Sequence, residues 1–174
     1  MGAPRQFTTW ARRGRYAPGI THQHPHITGI HETVLYAREV AACAAFYRDV
    51  VGLRPIGTPT ALSAVLRLPE GDAVLLIFDP RQASLPGRGV PSHGAWGVVP
   101  GGAAAAQGGA PAGANGHVAF RVGAGALDQW RVHLASVGVP IEMEVPWERG
   151  GRSIYVRDPA GNSVEFVEGR VWAD

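Results

Sequence analysis

The chain has 174 residues, a formal net charge of +2, 45% apolar and 17% charged side chains, which is the composition of a chain that buries a normal core and not of a disordered tail or a coiled coil. All sixteen basic residues are arginine, so the absence of lysine excludes Schiff-base chemistry and a Walker-A phosphate loop. One cysteine, Cys43, excludes an internal disulfide and a thiolate zinc cluster, and fits a cytoplasmic location.

Residues 1–27 read as an N-terminal extension. Its arginines, Arg5, Arg12, Arg13 and Arg15, stand without apolar periodicity or aromatic interleaving and give little ground for a nucleic-acid partner, and no apolar run follows them as in a signal peptide. The segment ends in His22, His24 and His26, read as solvated. No run in the chain approaches the roughly 18 apolar residues that span a bilayer, so no membrane partner is expected.

A first module is expected over residues 28–79. A strand-like run from Gly29 to Ala37 is followed by a helical pattern from Glu39 to Val50 that stops at Gly52, a short strand from Arg54 to Gly57, a strand from Leu62 to Leu68, the turn Pro69-Glu70-Gly71-Asp72, and the apolar run Ala73 to Phe78. Residues 80–114 are rich in Gly, Ala and Pro and read as a loop and linker. The same order then recurs over residues 115–170: His117 to Val122, a helix from about Leu127 to Ser136 with Gly138 beyond it, Ile141 to Val145, Ser153 to Arg157, the turn Asp158-Pro159-Ala160-Gly161-Asn162, and Ser163 to Val167. Pro69, Gly71 and Val74 recur 90 positions later as Pro159, Gly161 and Val164, and Val51-Gly52 recurs 86 positions later as Val137-Gly138. The fold class is therefore α+β, two βαβββ modules joined in one curved mixed sheet around a cavity, because one helix cannot cover both faces of a four-stranded sheet.

The run H-E-T-V-L-Y-A-R-E-V-A-A-C-A-A-F-Y-R-D-V-V-G-L from His31, the strand G-H-V-A-F-R-V from Gly116 and the ending I-Y-V-R-D-P-A-G-N-S-V-E-F from Ile154 resemble the vicinal oxygen chelate superfamily. Its members include glyoxalase I, extradiol dioxygenases and bleomycin resistance proteins. The resemblance implies a divalent cation, among Fe²⁺, Mn²⁺, Ni²⁺, Mg²⁺ and Zn²⁺, held by residues on the first strand of each module and on a last strand. It places His117 and Glu165 as ligands, with either His31 or Glu32 opening the first module. Matching Glu32 to His117 puts Leu35 opposite Phe120 on the helix-packed face and Tyr36 opposite Arg121 in the cavity, whereas matching His31 leaves Glu32 under a helix, where an unpaired carboxylate costs several kcal/mol. Glu32 is the expected ligand and His31 the alternative, which would instead make a two-histidine, one-carboxylate set suited to Fe(II). By the 90-residue offset the first-module counterpart of Glu165 is Leu75, so a fourth ligand is absent.

The same resemblance implies catalytic roles for Tyr155, as a hydrogen-bond donor to a bound substrate oxygen, and for Glu32, as a base. Where ring-cleaving relatives carry an upstream histidine this chain has Pro146, Trp147 and Glu148, which argues against ring cleavage. Tyr36, Arg121 and Arg152 are expected at the cavity mouth to meet a polar or anionic small-molecule substrate, with His93 on a lid and Trp96 and Trp147 as apolar walls. Phe46 and Tyr47 are expected in the helix-to-sheet core. The function expected is a small metal-dependent enzyme, a lyase, an isomerase or a ring-cleaving dioxygenase, acting on a substrate with vicinal oxygens. The alternative is a metal-free ligand-sequestering protein of the bleomycin-resistance type. A homodimer is expected, since four-stranded modules leave sheet edges that need cover.

Overall fold

The computed structural model describes residues 26–80 and 116–172. His93, Trp96, the leader histidines His22 and His24, and the expected linker lie outside the described residues.

The first module runs β1 (Glu32–Tyr36), α1 (Val40–Asp49), β2 (Arg54–Pro55), β3 (Ser63–Arg67) and β4 (Val74–Phe78), and the second β5 (His117–Arg121), α2 (Ala126–Ser136), β6 (Met143–Pro146), β7 (Arg152–Arg157) and β8 (Ser163–Glu168). Each module forms its own four-stranded sheet, in the orders β1-β4-β3-β2 and β5-β8-β7-β6. Within each, the first strand lies parallel to the last and the remaining pairs are antiparallel. The two-module α+β fold is as the sequence predicts, with two separate mixed sheets where a single continuous one was expected.

Strand alternation sorts each sheet into two faces. In the first, Leu35, Ala64, Leu66, Leu75 and Ile77 are almost fully buried and pack with Val40, Cys43, Ala44, Phe46 and Tyr47 of α1. The opposite, open face carries Glu32, Val34 and Tyr36 of β1, cross-strand from Val74, Leu76 and Phe78. In the second, Ile154, Val156, Val164 and Phe166 pack with Leu127 and Leu134 of α2, and Trp130 stacks on Phe166 with ring centroids 4.0 Å apart. One core joins both modules.

The turn Asp158-Pro159-Ala160-Gly161-Asn162 does more than reverse the chain. Gly161, at φ +84°, supplies the left-handed residue that the reversal needs. Asp158 Oδ1 accepts the Ala160 and Asn162 backbone N–H groups at 2.9 and 2.8 Å. Asp158 Oδ2 accepts the Asn162 side-chain amide at 2.8 Å and, across the module boundary, the Tyr47 hydroxyl at 3.1 Å. Asn162 completes the junction by donating to the Tyr36 carbonyl at 3.2 Å and accepting the Gly116 N–H at 2.8 Å. Gly116 has no room for a side chain, since a Cβ there would sit 2.6 Å from Leu35 Cδ2. His133 of α2 adds a contact of 2.8 Å to the Val50 carbonyl. Burial and the neighbouring Asp158 charge push the Cys43 thiol up to about 12 and raise the Tyr47 phenol as well, so both stay protonated at neutral pH.

Candidate functional site

The open face of the second sheet is polar, and the register explains why. His117, Ala119 and Arg121 alternate along β5, Ser163, Glu165 and Val167 lie beside them on β8, and Tyr155 and Ser153 of β7 pair with Glu165 and Val167. Four polar side chains, His117, Glu165, Tyr155 and Ser153, thereby share one patch on three adjacent strands.

Glu165 is its centre, only 7% exposed although it faces away from the helix. The Ser153 hydroxyl donates to its Oε1 at 2.5 Å, and the Trp147 indole N–H donates to Ser153 Oγ at 2.8 Å. The other carboxylate oxygen, Oε2, lies 3.2 Å from His117 Nε2. His117 is half-exposed and its ring lies over Tyr155 with centroids 6.3 Å apart. Burial raises the Tyr155 phenol, reinforced by its hydrogen bond to Glu165 and by the carboxylate charge, so Tyr155 is a proton-bearing donor at neutral pH.

The donor chemistry of this pair fits a divalent cation. An imidazole nitrogen and a carboxylate oxygen suit Mn²⁺, Fe²⁺, Ni²⁺ and Zn²⁺. Two ligands about 2.1 Å from one ion stand about 3.0–3.4 Å apart for square or tetrahedral angles, and the observed 3.2 Å lies in that interval. The pair stands as two groups only: no group of three His, Cys, Asp or Glu side chains is assembled among the described residues.

Glu32 occupies in the first sheet the place that His117 occupies in the second, since Glu32 pairs with Val74 as His117 pairs with Ser163. It is exposed and borders a crevice of about 200 Å³ between the modules that also takes in Val74, Val118 and Phe120. His31 precedes the strand and is exposed, with its carbonyl accepting the Val74 N–H at 2.9 Å. Within one chain Glu32 does not join His117 and Glu165 in a group of three.

The pairing also corrects the repeat alignment. Val34 pairs with Leu76 as Ala119 pairs with Glu165, so the counterpart of Glu165 is Leu76 and not Leu75. The hairpin between β3 and β4 is one residue out of step with that between β7 and β8, which a fixed 90-residue offset cannot follow. Leu75 is on the helix-packed face, beside Leu66 of β3. The conclusion that this strand offers no ligand is the same.

The remaining residues divide. Tyr36 is half-buried on the open face of the first sheet, where burial raises its phenol, and Arg121 is exposed on the face of His117. Trp147 touches the site through Ser153. Arg152 stands on the other face of its sheet, because it alternates with Ser153 and Tyr155, and donates to Glu168 Oε1 at 2.6 Å. Glu168 also accepts the Leu127 N–H at the start of α2, at 3.2 Å, a carboxylate at a helix N-terminus. These contacts hold Glu168 below the ordinary glutamate value of 4.5, with the Arg152 hydrogen bonds the largest cause. A lowered carboxylate supplies stability above its unfolded value and withdraws it as pH falls through the folded one. The thermal midpoint is therefore expected to fall on acidification from about pH 5 to 3, and Glu168→Gln to have a shallower slope over that interval. Parallel slopes for the two proteins would show that Glu168 plays no such part.

A larger cavity, about 650 Å³, lies elsewhere, between the modules on the helix side, against Leu53, Leu68, Phe120, Trp130 and Phe166. Sequence reasoning missed Ser153, yet the hairpin that sets Tyr155 opposite Glu165 sets Ser153 two residues further along the same face.

Comparison with known proteins agrees with this architecture. The family model of the Glyoxalase/Bleomycin resistance protein/Dioxygenase superfamily matches residues 29–166, and the chain belongs to that superfamily. A crystal structure of lactoylglutathione lyase from Agrobacterium tumefaciens is 34% identical, with a TM-score of 0.67 over 85% of this chain and 98% of that one. A glyoxalase/bleomycin resistance protein/dioxygenase from Nocardioides, at 18% identity and TM-score 0.60 over 87% and 92% of the two chains, shares the fold. So does a glyoxalase/dioxygenase from Nostoc punctiforme, at 18% identity and 0.54 over 82% and 92%. No curated protein matches the sequence. Among the described residues no helix is long and apolar enough to cross a membrane.

Proposed function

We propose that the chain is a metal-dependent enzyme of this superfamily that acts on a small molecule with two neighbouring oxygens. The observation that carries the reading is the buried Glu165 with its Oε2 3.2 Å from His117 Nε2. His117 and Glu165 hold a divalent cation together with Glu32. Because Glu32 stands apart from the pair in one chain, the third ligand comes from a second copy, whose first sheet meets the open face of the second, and the active form is a homodimer. The cation, when bound, supplies Lewis-acid polarisation of the substrate oxygens. Tyr155 donates a hydrogen bond to the substrate, Arg121 and Tyr36 orient it through its polar groups, and Glu32 takes up a proton during turnover.

The relative named as a lactoylglutathione lyase makes a lyase reaction on a glutathione adduct the first one to assay. The metal content of protein purified without chelator tests the reading. About one equivalent of a divalent metal per chain is expected in the wild type and almost none in a His117→Ala/Glu165→Ala double variant. Equal metal in both would overturn it.

Two observations favour a second reading, a ligand-sequestering protein of the bleomycin-resistance type. Leu76 stands where a carboxylate would have to be for a fourth ligand, and His117 and Glu165 already satisfy each other. A wild type free of metal that still binds a small ligand would select that reading.

A further inference from the structure

Ser153 and Trp147 have no place in the ligand set, yet they sit directly behind it. Ser153 is 1% exposed, on β7 one strand from Glu165, and its hydroxyl lies between the Trp147 indole N–H at 2.8 Å and Glu165 Oε1 at 2.5 Å. An indole N–H only donates, so Ser153 Oγ accepts from it. The single hydroxyl proton of Ser153 is then directed at the strongest acceptor in reach, the carboxylate. Trp147 is itself held by the hairpin, since its backbone N–H donates to the Gly151 carbonyl at 2.8 Å and its own carbonyl accepts the Gly150 N–H at 3.0 Å. The indole also lies 6.4 Å, centroid to centroid, from that of Trp172. The chain of donors runs one way, from indole to hydroxyl to carboxylate.

This direction sorts the two oxygens of Glu165. Oε1 is committed to Ser153, and Oε2 is turned toward His117 Nε2 at 3.2 Å. We propose that Ser153, oriented by Trp147, is a positioning residue that fixes Glu165 so that it takes up a divalent cation through Oε2 alone. The inference rests on the metal reading above and adds to it the residues that set the presentation of the ligand. Groups that orient a metal ligand in this way change metal affinity about 10–100-fold when removed. Ser153 is on rigid strand backbone, paired with Val145 and Val167 on either side, which suits that role.

The test uses the full chain and Zn²⁺ as the probe, followed by calorimetry and by the indole N–H resonances, with the Trp147 signal assigned from Trp147→Phe. In the wild type the Trp147 resonance is expected to move in step with Zn²⁺ uptake, because the hydrogen-bond chain links it to Glu165. Ser153→Ala is expected to bind Zn²⁺ about 10–100-fold more weakly and to leave the Trp147 resonance unmoved, whereas Ser153→Thr, which keeps the hydroxyl, retains both. Trp147→Phe is expected to weaken binding several-fold, and it carries the affinity test with Ser153→Thr if Ser153→Ala does not fold. Wild-type affinity in Ser153→Ala, or in Trp147→Phe, would overturn the positioning role while leaving the metal reading standing. No Zn²⁺ uptake by the wild type would remove the metal reading and this inference together.

Discussion

Asp158→Ala is expected to lower stability by about 3–5 kcal/mol, because it leaves several buried donors without an acceptor, and the thermal midpoint by on the order of 10 °C. The carboxylate is 4% exposed and accepts four hydrogen bonds within 3.1 Å, from Tyr47, the Asn162 side chain and the backbone of Ala160 and Asn162. Removing it strands four donors, each costing about 1–3 kcal/mol where water cannot replace the acceptor. The loss falls on both modules at once, because Tyr47 belongs to α1 and Asn162 bonds the Tyr36 carbonyl of β1. Tyr47→Phe is expected to cost only about 1–2 kcal/mol, since it leaves the bonds from Ala160 and Asn162 to Asp158 in place, with Cys43 Sγ 3.8 Å from its Oδ2. A double-mutant cycle between the two should return a coupling of about 0.5–3 kcal/mol. Calorimetric unfolding of the four proteins measures this, and an Asp158→Ala midpoint within 2 °C of wild type, roughly the shift from a 1 kcal/mol change, would refute the junction as a major source of stability.

Glu32→Ala and His117→Ala, each nearly devoid of metal and activity alone, are expected to recover about a quarter of the wild-type sites when the two are mixed and allowed to exchange subunits, as a shared two-fold site requires. Half of the dimers in such a mixture are mixed. In each, one site combines intact Glu32 from one copy with intact His117 and Glu165 from the other, while the second site carries both lesions. A site built within one chain gives no recovery, because every chain then carries a lesion in its own site. Metal content and turnover of the mixture, compared with each variant alone, decide between these arrangements, and light scattering reports whether the exchange partners are dimers. The separation of Glu32 from the His117–Glu165 pair in the fold is what makes recovery the expected result.

Much of this was legible in the order of residues. The repeat of strand, helix and hairpin follows from apolar periodicity and from the Pro-x-Gly turns, which are local properties. The helix-to-sheet roles of Phe46 and Tyr47 follow from the same periodicity, and both are buried. Tyr155 and Glu165 were legible through the family resemblance, and strand pairing puts them side by side on one face. What local rules could not reach were relations between segments far apart in the chain. Hydrogen bonding between strands alone fixes the counterpart of Glu165 as Leu76, since a one-residue difference in hairpin length is invisible to a constant offset. Arg152 was expected at the cavity mouth because strand composition does not reveal which face a residue at the strand end takes; it pairs instead with the cross-strand Glu168, which also accepts the Leu127 N–H at the start of α2. Asp158 and Asn162 read as turn formers, and the contacts that make them the junction between modules, to Tyr47 and to the Tyr36 carbonyl, span 111 and 126 residues. Local sequence patterns determined the two modules and the residues that could serve a site; only tertiary packing decided that His117 and Glu165 meet while Glu32 stands apart, because a distance between strands of different sheets depends on how whole modules pack.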